Sequence, residues 1–192
     1  MMDYYEHIEP YQFFNLGSDH LQLMTEYISD LKKSDYEHEE FEFTDGYLNK
    51  HFDRYRYCEI HHPGENSIFY EIGTKIFKEI NDKHFKYDLT DAVEFQILRY
   101  REGGNYNWHC DYGISPHSQL TRKLSMSIQL SEPSEYTGGD LDMIDYGNRT
   151  IKLQNIWGCG VVFDARTPHK ANPVTSGVRD VLVGWASGPR LR

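Results

Sequence analysis

At Val93 the polar–apolar pattern of this chain changes from a helical period to a twofold one, and that change divides it in two. Before it, Leu21, Met24, Ile28 and Leu31 recur at helical spacing behind Ser18 and Asp19, either of which can cap the first turn. A second helix is expected from about Asn66 to Phe85, with Ile68, Phe69, Ile72, Ile76, Phe77 and Ile80 on one apolar face. Both helices read as braces packed on the outside of a sheet. Residues 1–17 read as aromatic-rich and irregular, ending in a break at Gly17-Ser18. In 35–45, Phe41 and Phe43 alternate with acids, as on an edge strand kept soluble by charge; docking of a basic partner is the alternative reading. His61-His62-Pro63-Gly64 reads as loop, because adjacent histidines point in different directions and make poor joint ligands.

After the change, residues 93–101 form a strand, Gly103-Gly104 a turn, and Tyr106 to Asp111 the next strand. Further strands are expected at 123–130, 140–144, 149–153, 160–164, 167–171 and 179–187, about eight in all with turn signals between them. That count and spacing suit a jelly-roll, cupin-like double-stranded β-helix. The expected organisation is one domain over 1–192: a helical and irregular support in 1–92, and a mainly β core in 93–187. No repeat, linker or low-complexity stretch interrupts it.

The candidate chemistry lies on those strands. His109 and Asp111 stand two apart, so an extended backbone turns both to one face, where imidazole and carboxylate can converge on one ion. That donor pair suits Fe(II), with Mn, Co or Zn as substitutes. His169 follows the apolar run 160–163 and supplies a second imidazole; two histidines and one carboxylate form the facial triad of non-haem iron oxygenases, which leaves coordination positions open. Ten residues on, Arg179 heads a strand whose period-2 face carries Val181, Val183 and Trp185. A guanidinium at the base of an apolar and aromatic pocket is the group best suited to a fixed bidentate grip on a carboxylate.

These residues resemble an Fe(II)/2-oxoglutarate-dependent dioxygenase of the prolyl-4-hydroxylase-like, PKHD type. The resemblance rests on Tyr100-x-x-Gly103-x-x-Tyr106-x-x-His109-x-Asp111, on Leu130-Ser131-Glu132-Pro133-x-x-Tyr136-x-Gly138-Gly139-x-Leu141, and on His169 with Pro173-Val174-Thr175-Ser176-Gly177-x-Arg179 and Trp185. It covers Val93 to Ala186, roughly the C-terminal half. It implies a double-stranded β-helix holding Fe(II) on His109, Asp111 and His169, with Arg179 gripping the distal carboxylate of 2-oxoglutarate. Many relatives carry Lys at that last position, and either cation serves. The implied reaction consumes 2-oxoglutarate and O2, releases succinate and CO2 and hydroxylates a substrate, with ascorbate as an auxiliary reductant. Tyr100 and Tyr106 are candidates to donate hydrogen bonds to co-substrate or substrate, with plain packing as the alternative; Trp185 is expected to line the pocket near the metal. An intact Asp111 favours hydroxylation over halogenation, since halogenating relatives leave that ligand position open.

The implied substrate is a peptidyl side chain, prolyl first, or a free amino acid; a small metabolite, or a silent β-helix used as a binding module, are the alternatives. The polar loop Tyr112 to Arg122, with Pro116, His117 and Ser118 at its tip, is placed to influence substrate choice. Asp140 and Asp142 read as exposed strand and turn residues after Gly138-Gly139. Composition narrows the rest. A net charge of −10 argues against a broad nucleic-acid-binding face, and with it a nucleobase-repair enzyme. Cys58, Cys110 and Cys159 lack metal-type spacing and read as reduced and buried, with Cys110 directed away from the metal. Met1-Met2-Asp3-Tyr4-Tyr5-Glu6 has no basic leader and no apolar run approaches membrane length, so a soluble cytoplasmic protein is expected.

Overall fold

The apolar face of the second helix meets its counterpart on a curled β-sheet. The computed structural model describes residues 9–42, 54–114 and 118–190. In chain order it contains β1 (Tyr11–Asn15), α1 (Ser18–Asp30), β2 (Glu37–Glu42), β3 (Arg54–His61), α2 (Ile68–Ile80), β4 (Val93–Tyr100), β5 (Asn105–His109) and β6 (Thr121–Gln129). There follow β7 (Tyr136–Gly138), β8 (Leu141–Ile144), β9 (Thr150–Lys152), β10 (Cys159–Asp164), β11 (His169–Ala171), β12 (Val174–Gly177) and β13 (Arg179–Gly188). One sheet runs β1-β10-β6-β13-β4-β3-β5-β11-β8-β9, with β2 paired to β3 off that path; β12 and β7 form a separate two-stranded ribbon. All these pairings are antiparallel. The curl turns one face of β6, β13 and β4 towards β5, β11 and β8, and the space between them holds the site.

Alternation along β6 shows how the faces divide. Leu124, Met126 and Ile128 point outward into a core shared with Leu21, Met24 and Ile28 of α1, and with Phe69, Ile72 and Phe77 of α2. Ser125, Ser127 and Gln129 are equally buried but lie on the other face: Ser127 lines the enclosed space, Ser125 bonds to Asp111 and Gln129 to Arg179. Phe95 on β4 is the centre of the outer core, with Tyr70 edge-on at 4.9 Å and Phe77 at 6.0 Å. Gly184 lies under it: a Cβ there would come within 2.5 Å of the Phe95 ring, so the close approach requires glycine. We expect Phe95→Ala to cost about 3–5 kcal/mol, read as a lowered denaturation midpoint in urea. A loss under about 1 kcal/mol would mean that the helices and sheet close up around the cavity.

Several local expectations are corrected. The start of α1 is capped by neither Ser18 nor Asp19: Gly17 is the N-cap residue, and the Ser18 hydroxyl turns to Asp19. Residues 11–15, read as irregular, form β1, because five backbone positions pair with β10 in register from Tyr11–Phe163 to Asn15–Cys159. The second helix is α-helical only to Ile80 and closes in a π-turn, Asn81–Phe85, before Lys86 turns left-handed. His61 is not loop but the last residue of β3, its ring held by the Asp35 carbonyl at 2.7 Å and the Tyr27 hydroxyl at 3.1 Å. The edge reading of 35–45 holds for β2, which among the described residues pairs with β3 alone; residues 43–45 lie outside the described residues. Among the described residues no helix is long and apolar enough to cross a membrane.

Candidate active site

His109 ends β5 and His169 begins β11, and the antiparallel register sets the two directly opposite each other. Asp111 lies two residues past the end of β5, where its backbone N–H donates to the Ala165 carbonyl at 2.9 Å and keeps the chain extended. The carboxylate therefore returns to the face of His109. Its Oδ1 lies 3.6 Å from His109 Nε2 and its Oδ2 3.5 Å from His169 Nε2. The ligand atoms of the three side chains all lie within 4.8 Å of one another, close enough to share one ion.

Neighbouring groups fix which atoms face the ion. Each histidine donates its Nδ1 proton to a carbonyl two residues back, His109 to Asn107 at 2.7 Å and His169 to Thr167 at 3.0 Å. This leaves both Nε2 lone pairs turned to the centre, the arrangement that metal-binding imidazoles adopt. Burial, reinforced by the facing His169, pulls His109 down to about 4, so the ring is neutral and able to ligate at neutral pH. Burial pushes the Asp111 carboxyl up, but His169, His109, the Ser125 hydroxyl and the Trp185 indole together outweigh it and hold the group below the usual carboxylate range. Ser125 Oγ donates to Asp111 Oδ2 at 2.7 Å. Partners of this kind orient ligands, and we expect Ser125→Ala to weaken Fe(II) binding about tenfold, measured by equilibrium dialysis. Unchanged affinity would show that the Trp185 indole and the backbone hold the carboxylate without the hydroxyl.

The four residues of the Arg179 face, Arg179, Val181, Val183 and Trp185, all line the cavity that contains the three candidate ligands. Arg179 is 2 % exposed, and burial depresses its guanidinium below the ordinary arginine value. Its Nη2 donates to Gln129 Oε1 at 2.8 Å, and the Gln129 amide in turn donates to the Tyr136 hydroxyl. Its Nε is buried with no hydrogen-bond partner, and among the described residues no carboxylate lies within 4.0 Å of it. A buried, unpaired cation is costly. Its chemistry fits the carboxylate of an incoming small acid. Gly139 makes room for it: φ is +70°, and a Cβ at that position would lie 2.8 Å from Arg179 Cδ.

The two tyrosines play different parts. Tyr106 stacks on the His109 imidazole with ring centroids 3.5 Å apart, so it packs against a candidate ligand. Tyr100 pairs with Arg179 across β4 and β13, and its ring centroid lies 5.6 Å from the guanidinium carbon. Burial raises the Tyr100 hydroxyl well above the ordinary tyrosine value, so it stays protonated as a donor.

Two surface expectations fail. Cys110 is exposed, with its thiol directed to the Arg166 carbonyl at 3.2 Å, whereas Cys58 and Cys159 are buried as expected. Asp142 is buried, its carboxylate bonded to Asn172 Nδ2 at 2.8 Å. Residues 115–117, including Pro116 and His117, lie outside the described residues. Sequence reasoning gave no role to Ser125, Gln129 or Arg56, and named Gly139 only within the matched motif and Arg122 only as the end of the polar loop. The alternation Ser125, Ser127, Gln129 was the available signal: it marks a polar face, and only the curl of the sheet shows that this face is enclosed.

The profile of the 2OG-Fe(II) oxygenase superfamily matches residues 95–187. A PKHD-type hydroxylase of Pseudomonas putida (strain W619) is 40% identical over 132 residues, 64% of this chain and 57% of the relative. One from Synechococcus sp. (strain CC9902) is 37% identical over 90 residues, 46% of this chain and 39% of the relative. The chain thus spans about half the length of the curated relatives it matches. In fold it resembles a Pseudomonas putida prolyl-4-hydroxylase, with a TM-score of 0.71 at 17% identity over 95% of this chain and 94% of the other. It also resembles a Trichoplax adhaerens prolyl hydroxylase solved with a hypoxia inducible factor oxygen degradation domain peptide fragment, with a TM-score of 0.67 at 18% identity over 92% and 83% of the two chains.

Proposed function

From residues 95–187, which form a domain of the 2OG-Fe(II) oxygenase superfamily, we propose that the chain is an Fe(II)- and 2-oxoglutarate-dependent hydroxylase acting on a peptidyl, most simply prolyl, or amino-acid side chain. The observation that carries this reading is one cavity holding both a convergent His109–Asp111–His169 triad and a buried Arg179 that has no carboxylate partner among the described residues. The PKHD-type relatives and the peptide bound to the Trichoplax protein support a prolyl substrate. When bound, Fe(II) supplies the redox chemistry that couples decarboxylation of 2-oxoglutarate, with release of succinate and CO2, to hydroxylation of a C–H bond.

The protein's own residues divide the remaining work. His109, Asp111 and His169 hold the metal, and the facial triad leaves positions for co-substrate and O2. Arg179 anchors the distal carboxylate of 2-oxoglutarate and, with Gln129 and Tyr136 behind it, fixes the direction in which the molecule lies. Tyr100 adds a neutral O–H donor beside Arg179. Val181, Val183 and Trp185 wall the cavity and exclude water from the reacting end. Tyr106 keeps the His109 ring in place by stacking.

Succinate release by the Fe(II)-loaded protein, measured with and without a panel of proline-containing peptides, tests this reading. Stimulation by one peptide, with gain of one oxygen atom in its mass, is the expected result. Stimulation by free small molecules and by no peptide would move the substrate to a metabolite.

A further inference from the structure

Gln96 lines the cavity that contains the three candidate ligands, and its amide oxygen is buried with no donor among the described residues. It stands on β4 opposite Val183 of β13, which stands opposite Ser127 of β6, and all three line the enclosed space. The row on one side is Glu94, Trp185 and Ser125, whose serine bonds to Asp111. The row on the other is Leu98, Val181 and Gln129, whose glutamine bonds to Arg179. Rows on one face of a strand are about 7 Å apart. The amide thus lies between the metal end of the cavity and the anchor at Arg179.

An amide oxygen shut off from water without a donor is a standing cost, tolerated mainly where binding or chemistry uses the group. The wall itself does not call for it. Leu98, Val181 and Val183 beside it are apolar, and a methionine would fill the same length.

We infer that the missing donor comes from the substrate to be hydroxylated, and that Gln96 is a specificity-determining residue that accepts a hydrogen bond from a substrate N–H. The inference rests on the hydroxylase reading. Under it the cavity also takes 2-oxoglutarate and O2, but two carboxylates, a ketone and dioxygen offer acceptors only. In a peptidyl or amino-acid substrate the donor at hand is N–H. The nitrogen of an internal prolyl residue carries no hydrogen. The N–H therefore belongs either to the peptide unit that follows the proline or to the imino group of a free residue.

The test uses the full chain, anaerobic and loaded with Fe(II) and saturating 2-oxoglutarate, with binding read by calorimetry. Two pairs of probes separate the sources of the N–H. N-acetylproline methylamide carries the N–H of the following peptide unit, and the dimethylamide lacks it. L-proline carries imino N–H, and its N,N-dimethyl betaine, of equal charge, does not. In one of the pairs the member with N–H is expected to bind about tenfold tighter, the scale of one hydrogen bond to an otherwise unsatisfied group. The preference should fall to about twofold in Gln96→Met, which loses the acceptor, and stay above about fivefold in Gln96→Glu, which keeps it. Without ligands, Gln96→Met is expected to melt about 2–4 °C above the wild type, because the unsatisfied oxygen is gone. Equal binding within both pairs, tighter binding of the members without N–H, binding of none of the four, or a preference that survives in Gln96→Met would overturn the inference. So would a lowered melting point of Gln96→Met, which would give the amide a partner inside the protein. A tenfold loss of 2-oxoglutarate affinity in that variant would overturn it too, by assigning the amide to the co-substrate. Failure of the hydroxylase reading would appear earlier and separately, as failure to bind Fe(II) and 2-oxoglutarate before any probe is added.

Discussion

Replacement of His109 or of Asp111 by alanine is expected to abolish Fe(II) binding and, with it, 2-oxoglutarate turnover, while the fold persists. The three donors lie within 4.8 Å of one another, and removing one leaves a two-point site. Loss of a mere hydrogen-bond partner behind a ligand costs roughly 10–100-fold in metal affinity, so loss of a ligand should exceed that range. Retention of the fold follows from position: both residues line the cavity and neither belongs to the core between the sheet and the helices. Asp111→Ala leaves the Ser125 hydroxyl without its acceptor and so should lower thermal stability slightly in the absence of metal, whereas removal of the neutral His109 ring should change it little. Turnover that persists undiminished in either variant would defeat the assignment of the triad.

Arg179→Ala carries the second large effect, and it separates the roles of metal and co-substrate. The apparent KM for 2-oxoglutarate should rise by roughly 10²-fold or more, in keeping with the ~2–5 kcal/mol attached to truncating one partner of a buried charge pair. The Fe(II) requirement should change far less, because Arg179 touches none of the three candidate ligands. Its side chain instead meets Gln129, Tyr100 and the backbone at Gly139. Arg179→Lys should recover part of the loss, since a cation remains but the planar fork does not. Equal weakening of Fe(II) and 2-oxoglutarate would mean that the arginine supports the walls of the cavity and does not bind a ligand.

How much of this was legible in the sequence depended on the range of the interactions involved. The faces of both helices could be read because periodicity is local: Leu21, Met24 and Ile28, and Phe69, Ile72 and Phe77, are buried together in one cluster. The Arg179 face could be read for the same reason, and its four residues line one cavity. The ribbon strands β7 and β12 went unread because each is too short to show a period and exists by pairing with the other. The strand β1 was hidden likewise, since its conformation comes from β10 and not from its own pattern. Cys110 and Asp142 were misplaced for a different reason. Alternation assigns a face, but whether that face is wet depends on what packs against it, here Arg166 in one case and Asn172 in the other.

On the proposed reading, one cavity binds Fe(II) and 2-oxoglutarate and couples them to O2. The most direct measurement is succinate formed against O2 consumed by the anaerobically purified wild-type protein after Fe(II), 2-oxoglutarate and then O2 are supplied in turn. One Fe(II) is expected to bind per chain, with slow succinate release even without a prime substrate and one succinate formed for each O2 consumed. Failure to bind iron, or iron and 2-oxoglutarate binding that yields no succinate under any substrate tried, would contradict it.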